Sequence, residues 1–155
     1  MYRALIALAL LFALPAPCIA KDWKAAFARV KDGDTVLLLS HTVFDLPVSI
    51  RLISSSGGID TPEKDGPCAA EREGAARAAE FTRDLIERGG MQGTLRGVRV
   101  DKYGGRYLAQ IIVRVDGKSI NIGDELLRAK LAVIYNGGTR RDWCTPNLPF
   151  QGEAQ

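Results

Sequence analysis

The stretch Ala69-Ala70-Glu71-Arg72-Glu73-Gly74-Ala75-Ala76-Arg77-Ala78-Ala79-Glu80-Phe81-Thr82-Arg83-Asp84-Leu85-Ile86-Glu87-Arg88, closed by Gly89-Gly90, sets the fold. Ala75, Ala78, Ala79, Thr82, Leu85 and Ile86 fall on one face at helical spacing, and a glycine pair is where a helix stops. A helix over Ala69–Arg88 is therefore expected. Around it the pattern is that of strands. Trp23–Val30 reads either as a short amphipathic helix or as the lead-in to a strand, and the favoured reading is a strand that begins near Phe27 and leads into a turn at Asp32-Gly33-Asp34; a second strand covers Thr35–Ser40 and a third Val48–Ile53. Downstream, Met91–Val100 and Leu108–Val115 make two more, separated by a Tyr-Gly-Gly turn. A shorter helix is expected over Ile122–Lys130, with Asn121 as N-cap, Asp124 in its first turn and Leu126, Leu127 and Leu131 facing the core. Five strands with a helix between the third and fourth is the order of a small closed barrel of the oligonucleotide-binding class. The expected fold class is thus α+β, mainly β, with two to three helices.

Residues 1–20 are set apart from this domain. Arg3 precedes an apolar run from Ala4 to Leu14 and a small-residue exit at Cys18-Ile19-Ala20, the pattern of a secretory leader cleaved near Ala20. The run is shorter than the roughly 20 residues a membrane span needs, and Pro15 and Pro17 break it. A lipid anchor on Cys18 is the alternative. Residues 21–155 then suit a single domain with an irregular Gly- and Pro-rich tail from Gly137. The expected location is secreted or periplasmic, with no stable membrane association after cleavage. Without a long exposed apolar stripe, the expected state is a monomer.

Removing Arg3 from the 21 basic residues leaves a net charge of +2 against 18 acidic ones. Counterion release alone would need a more basic chain, so any nucleic-acid contact must be concentrated at a site. Beyond Cys18 there remain Cys68 and Cys144, an even number in a chain bound for an oxidising compartment. They read as a disulfide that ties the tail near the segment after Glu63 and stabilises by roughly 2–4 kcal/mol. Two buried thiols are the alternative.

Three short segments carry the chemistry: Asp32-Gly33-Asp34-Thr35, Gly58-Ile59-Asp60-Thr61-Pro62-Glu63, and Asp101-Lys102-Tyr103-Gly104-Gly105-Arg106-Tyr107-Leu108-Ala109. Together they hold carboxylates, a proton acceptor and a guanidinium, which is what in-line attack of water on a phosphodiester requires. With one histidine, His41, read as a bystander at a strand end, and two cysteines outside the leader, a zinc cluster or a histidine-based site has too few ligands.

In this order, Asp-Gly-Asp-Thr, Arg-Leu, Ile-Asp-Thr-Pro-Glu, an alanine-rich helix and Asp-Lys-Tyr-Gly-Gly-Arg-x-Leu-Ala resemble the staphylococcal nuclease (thermonuclease) family over about Phe27 to Tyr135. The resemblance implies a calcium-dependent nuclease acting on DNA and RNA, with single-stranded or locally melted substrate expected. It gives Asp34 and Asp60 as calcium-holding carboxylates and the Thr61 carbonyl as a further ligand, the hard oxygens Ca2+ prefers. Asp32 either adds negative potential or is a plain turn residue. Glu63, aimed by the fixed φ of Pro62, is implied as general base. Arg51 and Arg106 are implied as the phosphate clamp, for which a planar fork of donors suits phosphoryl oxygens; the alternative for each is a surface ion pair. Lys102 and Tyr103 are implied to touch phosphate and base. Tyr135 either lies near a stacking position or packs on the barrel. The alternative to cleavage is a barrel that binds nucleic acid or protein without acting on it; a third reading, a small extracytoplasmic structural protein held by its disulfide, accounts for the leader and cysteines but leaves the carboxylate and arginine motifs unused.

Two departures from the family pattern carry consequences. Arg51 and Asp60 are nine positions apart where the family has five, so Ser54-Ser55-Ser56-Gly57 reads as an insertion. Four extended residues span about 13 Å. If the segment loops out, Arg51 still reaches the site; if it slips the register, arginine and carboxylate separate and catalysis is lost. Lys130 stands where the family tends to have glycine, and a non-glycine residue held at positive φ there would cost roughly 1 kcal/mol.

Overall fold

The structure, a computed structural model, describes residues 21–39, 48–102 and 104–145. Residues 1–20, read above as a leader, His41 and the tail beyond Thr145 lie outside the described residues, as does Tyr103. Eight strands and two helices follow in the order β1 (Trp23–Asp32), β2 (Thr35–Leu39), β3 (Val48–Ser54), β4 (Gly57–Asp60), α1 (Ala69–Arg88), β5 (Gln92–Val100), β6 (Tyr107–Val115), β7 (Lys118–Asn121), α2 (Ile122–Arg128) and β8 (Val133–Ile134).

Five of the strands close a barrel. β1 pairs antiparallel with β2 and β5, β2 with β3, and β5 with β6; a parallel pairing of β3 with β6, Arg51 opposite Leu108, shuts the ring. This is the mainly β oligonucleotide-binding barrel expected from the strand order. β6 shows the two-residue period most clearly: Ala109, Ile111, Val113 and Val115 are buried while intervening residues are less so. They meet Phe27, Val36, Ile50 and Leu52 inside the barrel, with Leu85 and Ile86 from α1 and Leu126 from α2 completing the core.

Helix α1 has the expected bounds. Cys68 Sγ accepts the Glu71 N–H at its start. At its end Gly90 N–H bonds Glu87 O and Met91 N–H bonds Ile86 O, the paired closure that needs a left-handed residue, here Gly90 at φ +70°. α2 is capped by Asn121 as expected but stops at Arg128, two residues earlier than the pattern suggests.

Two expectations are corrected. β1 begins at Trp23 rather than near Phe27, because Trp23–Ala26 pair with Gln92–Leu95 of β5. Three short strands, β4, β7 and β8, add to the five that the pattern predicts. β4 bears on the site. Ser55 and Ser56 form a two-residue turn, so that Gly57 and Gly58 pair antiparallel with Ser54 and Ile53. Asp124 at the start of α2 holds this turn, accepting the Ser55 N–H at 2.7 Å and the Ser55 hydroxyl at 2.9 Å.

Candidate active site

The hairpin decides where Asp60 goes. An insertion that ran on as extended strand would carry it away from Arg51; folded back as β4, it sets Asp60 beside Arg51, with Arg51 Nη2 3.5 Å from Asp60 Oδ1 and 3.2 Å from the Ile59 carbonyl. β4 is fixed from its other side by β8, where Ile59 pairs with Ile134 and Asp60 with Val133. Gly58 is needed for that pairing, because a Cβ at this position would lie 2.2 Å from the Tyr135 carbonyl oxygen.

Asp34 arrives from the turn between β1 and β2, and α1 holds that turn. The Thr82 hydroxyl donates to Gly33 O at 2.7 Å inside the core, and Gly33 has no room for a side chain, since a Cβ would meet Ala78 at 2.6 Å. Leu52 N–H donates to Asp34 O at 2.7 Å, locking the turn onto β3. Arg51 Nε then donates to Asp34 Oδ2 at 3.2 Å and the Thr35 hydroxyl to Asp34 Oδ1 at 3.0 Å. One guanidinium therefore joins the two carboxylates. Burial pushes the Asp34 pKa up to about 7, outweighing Arg51 and Thr35, and the neighbouring Asp32 charge adds to the rise. Asp32 itself has a buried carboxylate oxygen, Oδ1, with no hydrogen-bond partner.

Thr61 is buried against Gly33, which brings the segment after Asp60 onto the Asp34 turn. Pro62 packs on α1 at Gly74, and the Glu63 N–H donates to Glu71 Oε1 at 3.2 Å, so the first turn of α1 fixes the backbone that presents Glu63. The Glu63 side chain is 48 % exposed.

Two side chains at this site are not marked by any motif in the sequence. Arg140, from the irregular tail, donates to Asp60 Oδ1 from Nε at 2.9 Å and from Nη2 at 2.5 Å, and its Nη2 lies 2.6 Å from Glu63 Oε1. Trp143 Nε1 donates to Asp60 Oδ2 at 3.3 Å. Burial works against the Arg140 charge, but the hydrogen bonds to Asp60 and Glu63 outweigh it and raise its pKa above the ordinary arginine value. The Cys68–Cys144 disulfide, with Cα atoms 5.8 Å apart, brings the tail here. The expected pairing is present, and its consequence is that a tail arginine stands between the two acids.

Arg106 is placed differently. Its Nε is ion-paired with Asp101, across the connection between β5 and β6. Lys102 lines a cleft of about 310 Å³ together with Arg51, Arg99, Leu108 and Tyr135. The Tyr135 ring centroid is 6.0 Å from the Arg51 guanidinium carbon, and its hydroxyl donates to Gly138 O at 3.0 Å. The cleft thus has three cations, Arg51, Arg99 and Lys102, against one carboxylate, Asp101, with an aromatic ring beside them, a balance suited to a nucleotide; Asp34, Asp60 and Glu63 do not line it, and Arg51 is the residue it shares with them.

The donor set also bears on a metal. Asp34, Asp60 and the Thr61 carbonyl are hard oxygens of the type Ca2+ takes, and the unsatisfied Asp32 Oδ1 adds uncompensated negative character near Asp34. In chemical type these donors suit a hard cation, while in this arrangement both Asp60 oxygens accept bonds from Arg140, Arg51 and Trp143. Elsewhere among the described residues, Cys68, Glu71 and Cys144 come together with ligand spacing, but both sulfurs are spent in the disulfide.

A closed oligonucleotide-binding barrel bearing carboxylates and arginines beside a cationic cleft defines a protein of the nucleic-acid-binding, nuclease-like class. Comparison with protein families finds a match to the staphylococcal nuclease homologue family over residues 49–148, and the chain belongs to that family. That family consists in general of nuclease hydrolases. No curated protein matches the chain.

Proposed function

We propose that the protein is a calcium-dependent nuclease that hydrolyses phosphodiester bonds of DNA or RNA. The observation that carries this reading is the Arg51 bridge: one guanidinium binds both Asp34 and Asp60 and also lines the cleft that Arg99, Lys102 and Tyr135 share. Asp34, Asp60 and the Thr61 carbonyl would hold the cation, which when bound supplies positive charge to the attacked phosphate. Glu63, exposed and adjacent, accepts the proton of the attacking water. Arg51 offers its fork to the phosphoryl oxygens. Arg106 is assigned to the same clamp on the family resemblance, and this requires it to exchange Asp101 for the phosphate. Lys102 and Tyr103 are assigned to the nucleotide on the same basis, and Tyr135 to its base.

A cleft that takes an unpaired base suits single-stranded or locally melted substrate. The leader pattern in residues 1–20 and a disulfide in the remainder support export to a secreted or periplasmic location, and the sequence, with no long exposed apolar stripe outside the leader, supports action as a monomer. Among the described residues no helix is long and apolar enough to cross a membrane.

One observation favours a second reading, a barrel that binds nucleic acid without cleaving it: Arg106 is engaged by Asp101, and Arg140 occupies both Asp60 and Glu63. Release of acid-soluble nucleotides from denatured DNA separates the two. Calcium-dependent release that is abolished by chelator and by Glu63→Ala establishes the nuclease. Strand binding with no release under any divalent metal establishes the non-cleaving barrel.

A further inference from the structure

Asp60 is fully buried and carries three protein donors on its two oxygens, of which Arg140 makes the shortest bonds. The same guanidinium reaches Glu63 at 2.6 Å. Arg140 therefore already occupies Asp60 Oδ1, an oxygen that a cation bound to Asp60 would need, and faces Glu63 from there. It is not held there by strand or helix. Gly137 to Thr145 form neither, and the segment is fixed at its far end by the Cys68–Cys144 disulfide and along its length by Trp143 on Asp60. The Arg140 side chain is 44 % exposed, so a path into solvent is open to it, and that movement would uncover the Asp60 carboxylate.

We propose that Arg140 is an internal cation that competes with a divalent metal for Asp60, so that this tethered arginine sets the metal affinity of the site. The inference rests on the assignment of Asp60 as a metal ligand made above. Its physical basis is simple. A carboxylate oxygen accepting two guanidinium N–H bonds must give up at least part of that set to enter the shell of a hard cation, and a positive charge in contact with both acids repels the incoming ion. The disulfide makes the competition intramolecular. Tying Cys144 to the residue that caps α1 keeps the arginine at high effective concentration over Asp60.

The test is calcium binding by titration calorimetry on the oxidised protein without nucleic acid, so that the readout does not depend on turnover. Arg140→Ala should bind Ca2+ about tenfold more tightly than the unaltered protein. Arg140→Lys keeps a charge but loses the planar fork that spans both acids, and should fall between them. The double variant Cys68→Ser/Cys144→Ser, in which a serine hydroxyl takes over the capping of α1 from the Cys68 sulfur, should also bind more tightly. It carries the test if Arg140→Ala fails to fold. Arg128→Ala, which removes an exposed charge on α2, should bind as the unaltered protein does. Unchanged or weaker Ca2+ binding in folded Arg140→Ala, or no Ca2+ binding by any of the proteins, overturns the proposal. The nuclease reading fails separately: a protein that binds Ca2+ more tightly on loss of Arg140 yet cleaves nothing refutes the nuclease and leaves the competition standing, while Ca2+-dependent cleavage with no gain in affinity does the reverse.

Discussion

Arg51 Nη2 lies 3.5 Å from Asp60 Oδ1 although nine positions of chain separate the two residues, because Ser55 and Ser56 turn β3 back on itself as β4. The insertion is absorbed by a hairpin outside the barrel, and the register of β3 against β2 and β6 is intact, with Arg51 opposite Thr35 and Leu108. Of the two outcomes open to the inserted segment, the one that keeps arginine and carboxylate together is realised.

Replacing Arg51 tests that bridge. Arg51→Lys retains the charge but cannot span Asp34 Oδ2 and Asp60 Oδ1 with one planar group. Cleavage of denatured DNA should fall by about 10²–10³ in kcat/KM, while the melting transition stays cooperative. A variant as active as the parent would show that the bridge serves the fold alone.

The hairpin turn has its own support, in that Asp124 accepts both donors of Ser55. Asp124→Ala should lower stability by about 1 kcal/mol, since the turn is exposed and water replaces part of what is lost. Activity per folded molecule should hold, because β4 remains paired with β8. Thermal melts and initial rates read the two effects separately.

The long elements were legible because their signals are local and redundant. Ala69–Arg88 has an apolar face, a glycine pair at its end and no competing pattern, and it appears with those bounds. β4, β7 and β8 were not legible, for they are two to four residues long and exist by pairing with partners outside their own short span. Gly57-Gly58 in particular contradicts strand propensity, and Gly58 is required only because Tyr135 O approaches so closely. The acidic half of the site was readable from motif order, as was Arg51. Arg140 was not, since an arginine in a Gly-Gly-Thr-Arg-Arg tail looks like a solvated charge. The one signal pointing to it was the cysteine pair, which returns the tail to the segment after Glu63.

Lys130 offers a test of a position where sequence and structure agree. It has φ +57° at the end of α2, where Lys130 N–H bonds Leu127 O at 3.0 Å and Leu131 N–H bonds Leu126 O at 2.9 Å. This closure favours glycine. Lys130→Gly should raise stability by at most about 0.5 kcal/mol, the roughly 1 kcal/mol of strain relieved being largely offset by the entropy glycine adds to the unfolded chain. Denaturant midpoints at constant m-value measure it.

Reduction of the disulfide should cost about 2–4 kcal/mol. The loss should be the same at all protein concentrations, because Cys68 and Cys144 belong to one chain. Melting with and without a dithiol reductant reads this directly.

Stability should also depend on pH through Asp34. Its pKa is raised from 3.8 to about 7, burial being the largest cause, so the folded state favours the protonated carboxyl more than the unfolded chain does. A raised pKa gives a contribution fully present below pH 3.8 and lost as pH rises through about 7. In chelator, the stability of the parent relative to Asp34→Asn should therefore decline between about pH 4 and pH 7, by a few kcal/mol at most. Adding Ca2+ at pH 7 should recover part of the loss in the parent and none in the variant, since a bound cation favours the ionised carboxylate. Guanidinium melts at pH 5 and pH 8, with and without calcium, measure both effects. A parent and variant that run parallel across this range would mean that Arg51 and Thr35 compensate for the burial of Asp34.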